Sequence, residues 1–164
     1  MAIRNPQALK AQLPPGKRLI GLDLGEKTIG VAISDPGLTI ASPIDTIRRT
    51  KFTDDIKHLV KMIAGREVGG IVIGLPINMD GTEGPRCQSV RHFGQNLVGR
   101  ADLFGMEPEI AFWDERMSTV AIQRLLVSEA DMSRGKRAQA VDKMAAAYIL
   151  QGALDALAKG PPQT

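Results

Sequence analysis

Four carboxylates stand where chemistry could be done: Asp23, Asp114, Glu115 and Asp142. Asp23 falls inside an apolar run, Leu19 to Leu24, that reads as a strand. An acid in such a run costs on the order of several kcal/mol unless it is paired, protonated or bound to a cation. With a strand period of two, Leu19, Gly21 and Asp23 share one face and Ile20, Leu22 and Leu24 the other. Gly21 leaves the floor beside the acid open. Asp114 and Glu115 close a second strand, Glu109 to Trp113, and cannot both face Asp23, because consecutive strand residues point opposite ways. Periodicity leaves open which of the two does, and either could instead cap the next turn or pair with Arg116. Asp142 falls on a closing helix, along a stripe with Ala138, Ala146, Ile149 and Ala153. If the two strands are neighbours, their carboxyl ends meet at the crevice where open α/β sheets bind ligands. Clustered carboxylates repel one another unless cations bridge them, and hard oxygen ligands suit Mg²⁺ or Mn²⁺. Such ions activate a water and stabilise the leaving oxygen of a phosphodiester. The chemistry to which these residues point is metal-assisted phosphodiester hydrolysis.

Several elements must position them. The strand carrying Asp23 turns at Gly25-Glu26-Lys27 into a second, in which Ile29, Val31 and Ile33 alternate with Gly30, Ala32 and Ser34. The pair reads as a hairpin with one apolar face and one accessible face carrying the acid. A third strand, within Leu38 to Arg49 and entered or interrupted at Ser42-Pro43, completes an antiparallel meander. Thr53 is expected to cap a helix with Asp54 and Asp55 in its first turn and Ile56, Leu59, Val60, Ile63 and Ala64 as its buried stripe. Ile71-Val72-Ile73 is too uniformly apolar for an edge and reads as a central parallel strand ending at Leu75-Pro76. The turn-rich loop 77–85 leads into a helix from near Pro85 whose inner stripe is Val90, Phe93, Leu97, Ala101 and Phe104. Beyond Glu109 to Trp113 come a helix capped by Ser118 or Thr119 with Ile122, Leu125 and Leu126 inward, a polar connector 130–136, and a last helix from Arg137 to Ala158. This order predicts an α/β fold: a five-stranded mixed sheet, three strands in an antiparallel meander plus two parallel strands, with helices on both faces. Residues 1–16 are expected as a flexible leader, 17–158 as one domain and 159–164 as a frayed tail.

A chain of 164 residues with 43% hydrophobic and 24% charged residues is globular and large enough for a real core. Cys87 is the one cysteine, so no internal disulfide forms, and no apolar run reaches the roughly 20 residues of a membrane helix. A cytoplasmic location is expected, without membrane association. The stretch from Arg116 to Lys143 carries six basic residues against three acids, an excess equal to the chain's whole +3. Arg116, Arg134, Lys136, Arg137 and Lys143 are therefore candidates for holding a phosphate backbone, and Arg48, Arg49 and Lys51 could extend that surface. His58 and His92 read as solvated helix residues, Cys87 as packing, Trp113 as core and Asp80 as turn chemistry. A kinase of the actin and sugar-kinase type also opens with Asp-x-Gly and a hairpin, but closes two such domains over ATP, for which this chain is too short.

Four blocks resemble one family: Gly21-Leu-Asp-Leu-Gly with Ile29-Gly-Val-Ala-Ile-Ser-Asp35, Gly74-Leu-Pro-Ile-Asn-Met-Asp-Gly-Thr-Glu-Gly-Pro85, Asp114-Glu-Arg-Met-Ser-Thr119, and Asp142 through Ala-Ala-Ala to Ile-Leu-Gln151. In order and spacing, from about Lys17 to Leu157, they are similar to the YqgF (RuvX) family of bacterial nucleases. The resemblance implies an RNase H-like fold and a cytoplasmic, Mg²⁺- or Mn²⁺-dependent nuclease. Its members are regarded as processors of the 5′ end of pre-16S ribosomal RNA and as Holliday junction resolvases. It further implies Asp23, Glu115 and Asp142 as catalytic metal ligands, with Asp114 the second choice. Structured RNA or branched DNA, ribosomal precursor particles and a monomer or homodimer follow as expected partners and states. Thr28 stands where many members carry a basic residue, so no phosphate contact carries over to that position. A reading of another class is a nucleic-acid-binding ribosome-assembly factor without catalysis.

Overall fold

A computed structural model of the chain describes residues 3–105, 108–118 and 134–159, with the backbone alone for 3–4 and 134–143. The strands are β1 (Ile3–Arg4), β2 (Arg18–Leu24), β3 (Thr28–Ser34), β4 (Ala41–Arg48), β5 (Val68–Leu75) and β6 (Ile110–Asp114). The helices are α1 (Pro6–Gln12), α2 (Phe52–Ile63), α3 (Pro85–Leu97), α4 (Ala101–Phe104) and α5 (Arg134–Ala158). The strands form one sheet in the order β1-β6-β5-β2-β3-β4. β2, β3 and β4 are the antiparallel meander, while β5 and β6 run parallel to β2. The five expected strands are thus all present, and a short sixth extends the edge.

The sheet buries two different faces. Ile20, Leu22, Leu24, Ile29, Val31, Ile71 and Ile73 face one core, into which α2 and α3 press Ile56, Leu59, Val90, Phe93 and Leu97. Leu19, Ala32, Val72 and Ala111 face the other, with Ala145, Ala146, Ile149, Leu150, Ala153 and Leu154 of α5. The small face of the β2–β3 hairpin, expected to be accessible, is therefore covered: Ala32 and Ser34 are buried under α5. The physical reason is residue size. Glycine and alanine on both partners let the backbones approach, and that area of contact is worth more than exposure to water.

Other local expectations shift. Thr53 does not cap α2; the helix begins at Phe52 with Lys51 at its N-cap and no side-chain cap bond. Asp55 turns back instead and accepts hydrogen bonds from the Thr50 N–H at 2.9 Å and Oγ1 at 3.1 Å. The stripe expected to run to Phe104 breaks after Leu97, because Gly99 takes φ +85° and Ala101 and Phe104 belong to the separate turn α4. Pro43 is tolerated within β4 because that strand is an edge, where the register slips between Val31–Asp45 and Ala32–Pro43. α5 starts at Arg134 and not Arg137. The helix expected with Ile122, Leu125 and Leu126, and the candidate cap Thr119, lie outside the described residues.

Residues 3–12, expected within a flexible leader, supply β1 and α1. Ile3 and Arg4 pair with Ile110 and Ala111. Asn5 Oδ1 accepts from the Ala8 N–H at 2.7 Å and Pro6 opens α1, an N-cap signal. Leu9 is 1% exposed and lies against Gly70, where a Cβ would come within 3.0 Å of it. Truncating a leucine buried to this degree removes about 2–5 kcal/mol. Leu9→Ala is expected to lower the free energy of unfolding in urea by that amount, whereas a leader that does not dock in solution would leave the midpoint unchanged.

Candidate active site at the carboxyl ends of β2, β5 and β6

Asp23 is the penultimate residue of β2 and only 3% exposed. Its antiparallel partner is Gly30, and the pairs Gly21–Val72 and Leu22–Ile73 bring Gly74 of β5 next in line on its other side. A glycine thus stands on each flank of Asp23 in the neighbouring strands. Asp23 shares its face with Gly21, whose missing Cβ would lie 2.7 Å from Leu150 Cβ and 3.0 Å from the Ala146 carbonyl oxygen. Asp23 therefore points to the α5 side of the sheet.

β6 ends in a single 3-10 turn, Glu115–Met117, and this turn separates the two adjacent acids. Asp114 pairs in register with Leu75, on the side of the α2 and α3 core. Its carboxylate caps the turn, accepting from the Arg116 N–H at 2.9 Å, and holds the guanidinium through Nε at 3.1 Å and Nη2 at 2.8 Å. Burial works against ionisation there, and the Arg116 bonds outweigh it, so the Asp114 carboxyl sits below the ordinary carboxylate range. Glu115 is 5% exposed, and its Cγ lies 3.2 Å from where a Gly74 Cβ would be, on the α5 side. Glu115 and Asp23 are thus brought to one face across Gly74, while Asp114 is engaged by Arg116.

Asp142 stands on α5 one helical turn before Ala146, about 6 Å along the axis. Its side chain lies outside the described residues, as do those of Arg134, Lys136, Arg137 and Lys143. Among the described residues no group of three His, Cys, Asp or Glu comes together. Two buried carboxylates on one face have the hard oxygen-ligand chemistry that Mg²⁺ or Mn²⁺ requires, so the residues present fit such an ion.

Loop 76–84 forms one wall. Within it the Asn78 N–H donates to the Thr82 carbonyl at 2.9 Å and the Gly81 N–H to the Asn78 carbonyl at 2.8 Å. Asp80 accepts from the Thr82 N–H and Oγ1, the turn chemistry expected of it. Glu83 grips Arg91 through two bonds at 2.7 and 2.9 Å, which ties the loop's exit to α3. Two arginines bind backbone carbonyls at the end of β2. Arg49 donates Nη1 to the Gly25 carbonyl at 2.7 Å and lies over the Phe93 ring. Arg86, which the sequence reading does not single out, reaches the Leu24 carbonyl at 3.4 Å. Its one sequence signal is a basic residue in the first turn of the helix that follows the loop. His58 and His92 are exposed, and Cys87 is buried, with its thiol pushed up by burial. Trp113 packs in the α5 core, its ring nitrogen 3.0 Å from where a Gly152 Cβ would be.

Strand order and direction define an RNase H-like α/β protein. The chain belongs to the RuvX family, whose model, described as "Holliday junction resolvase", matches residues 17–156. It is 64% identical over 160 residues to a protein of Rhodospirillum centenum named "Putative pre-16S rRNA nuclease", covering 98% of this chain and 85% of that one. A protein of the same name from Phenylobacterium zucineum is 61% identical over 158 residues, covering 96% and 98%. Among solved structures, T. thermophilus RuvC in complex with Holliday junction substrate aligns at 12% identity with a TM-score of 0.49, covering 87% of this chain and 96% of that one. Among the described residues no helix is long and apolar enough to cross a membrane.

The Arg116 contact has a pH signature. A carboxyl whose folded pKa is lowered contributes stability that is present above the ordinary carboxylate range and lost as pH falls through the folded value. Arg116→Gln is expected to raise the Asp114 pKa in a carboxyl NMR titration and to lower stability at neutral pH. That stability difference should vanish in acid. An Asp114 titration unmoved by the substitution would show that Arg116 does not hold the carboxylate in solution.

Proposed function

We propose that this chain is a metal-dependent nuclease that hydrolyses phosphodiester bonds in the 5′-end processing of pre-16S rRNA in the cytoplasm. The observation that carries this reading is the pair of buried acids, Asp23 and Glu115, on one face across Gly74. Asp23, Glu115 and Asp142 would hold Mg²⁺ or Mn²⁺. A cation held there would supply Lewis-acid chemistry toward a phosphodiester and a water. Asp23 is fixed by a strand paired on both sides, and Glu115 by the closed 3-10 turn, so neither acid needs to be ordered when substrate arrives. Arg116, braced against Asp114, presents a cation at the mouth that orients a phosphate. Arg134, Lys136, Arg137 and Lys143 extend the backbone contact, which predicts binding that weakens steeply with salt. The names of the 64% and 61% identical relatives favour pre-16S ribosomal RNA as the substrate; ribosomal precursor particles are then the partners, and the chain acts as a monomer or homodimer. The family's description favours a second reading, resolution of a four-way DNA junction, which would require two sites and hence a dimer.

A pre-16S 5′-leader RNA and a synthetic four-way DNA junction, each labelled, separate these readings when incubated with Mg²⁺, Mn²⁺ or chelator. The expected result is metal-dependent cutting of the RNA, reduced to background in Asp23→Asn with the thermal midpoint preserved. Cutting of the junction alone selects the resolvase. Binding of either without any cutting selects the assembly-factor reading and removes the nuclease.

Gly74 provides a separate check on Glu115. A methyl there meets Ile149 Cδ1 at 2.5 Å and Glu115 Cγ at 3.2 Å. Overpacking of this kind costs about 1–3 kcal/mol. Gly74→Ala is expected to lower both stability and cleavage. Adding Ile149→Val, which deletes the clashing Cδ1, should restore the unfolding midpoint while cleavage stays low. Restoration of both would mean that Glu115's position does not matter to the reaction.

A further inference from the structure

Two of the most exposed large apolar side chains among the described residues belong to segments that carry the candidate site: Met79 follows Gly74 by five residues and Met117 follows Glu115 by two. Met79 is 82% exposed at the tip of loop 76–84, and Met117 is 68% exposed at the end of the turn that carries Glu115. Their two segments adjoin. Arg116 Nη1 lies 3.8 Å from where a Gly81 Cβ would be, and its charge acts on Asp80, the residue after Met79. Single exposed apolar residues are ordinary on a protein surface. A methionine presented by a braced turn beside a cation is a more specific arrangement. The tip is closed by the Gly81 N–H to Asn78, and the Thr82 N–H and hydroxyl both reach Asp80. The Asn78 side chain adds a bond to Thr82 Oγ1 at 3.0 Å. Gly81 takes φ +89°, a left-handed conformation that glycine adopts without strain. The cost of ordering the tip is met inside the loop before any ligand arrives, which is what makes a rigid contact useful.

Nothing in this bonding requires an apolar side chain at the tip, and a turn exposed to water is commonly polar. A thioether gains most from a polarisable aromatic surface, and apolar wedges, methionine among them, insert between base steps and unstack them. In the nucleic-acid reading above, the neighbouring Arg116 would make the phosphate contact that brings a base step within reach. We propose that Met79 is an unstacking wedge: held rigidly beside Arg116, it packs against the nucleobases next to the phosphate presented to Asp23 and Glu115, with Met117 flanking it. The proposal rests on the nucleic-acid reading above. It makes Met79 a residue that positions substrate, and makes the preferred substrate one whose bases already separate easily at that point, as in a branch, bulge or strand end.

Both the leader RNA and the four-way junction, carrying 2-aminopurine near the cut or branch point and a separate end label, test it with Ca²⁺ in place of Mg²⁺. The end label reports binding and the 2-aminopurine reports unstacking. On at least one substrate the wild-type chain is expected to raise 2-aminopurine emission several-fold at saturation. Met79→Ala should bind it within about threefold of wild type, since phosphate contacts dominate affinity, yet leave the emission near that of free nucleic acid. Met79→Phe should restore the rise and Met79→Lys should not. Equal emission from wild type and Met79→Ala at saturation overturns the wedge while leaving the nucleic-acid reading standing, and assigns the apolar rim to a protein partner. Absence of binding to both substrates overturns the reading and the wedge together.

Discussion

The contact on which the rest of the molecule depends is the close approach of α5 to the sheet. Gly21 lies so near Leu150 and Ala146 that any side chain there would collide, and Gly74 is as close to Ile149. Ala32, Ala111, Ala145, Ala146 and Ala153 line the same seam, all of them buried. A seam of this kind gains its energy from dispersion between well-matched surfaces, so it tolerates no added volume. It also fixes the height of the helix above the sheet to within a fraction of a side chain. Residue 142, one turn before Ala146, inherits its place from that packing.

The same glycines that admit the helix create the site. Beyond the point where α5 presses on Gly21, the strand offers Asp23, flanked by Gly30 and followed in register by Gly74. Glu115 comes over Gly74 only because β6 ends in a tight 3-10 turn that Asp114 caps and Arg116 braces. Two adjacent acids are thus given opposite duties. One spends its hydrogen bonds on structure, and the other is buried facing the first-strand acid. The wall built from loop 76–84 adds a rigid rim whose polar groups satisfy one another and whose apolar tip faces out.

The elements that were legible in the sequence were those with strong periodicity. The alternation in Ile29–Ser34 gave β3, the uniform Ile71-Val72-Ile73 gave a buried parallel strand, and Pro85 marked the first turn of α3. Elements held by a few distant contacts were not legible. β1 is two residues long and exists by pairing with β6, more than a hundred residues away. The start of α2 was misplaced by two residues because Asp55, not Thr53, returns to the chain before the helix. The accessible face assigned to the first hairpin was covered because small residues signal both exposure and close packing, and only the partner decides between them.

By itself, the sequence determined the order of the five main strands and of α2, α3 and α5, the placing of an acid in a buried strand and of two more at the end of another. These follow from local rules: side-chain alternation, turn formers and the cost of burying charge. Which of Asp114 and Glu115 shares a face with Asp23 was decided by the tertiary structure alone. That choice depends on the phase of β6 against β5 and on the 3-10 turn, and both are set by contacts between segments that are remote in the chain. A strand's period fixes which residues go together, but the side of the sheet they meet is chosen by the helix that packs there.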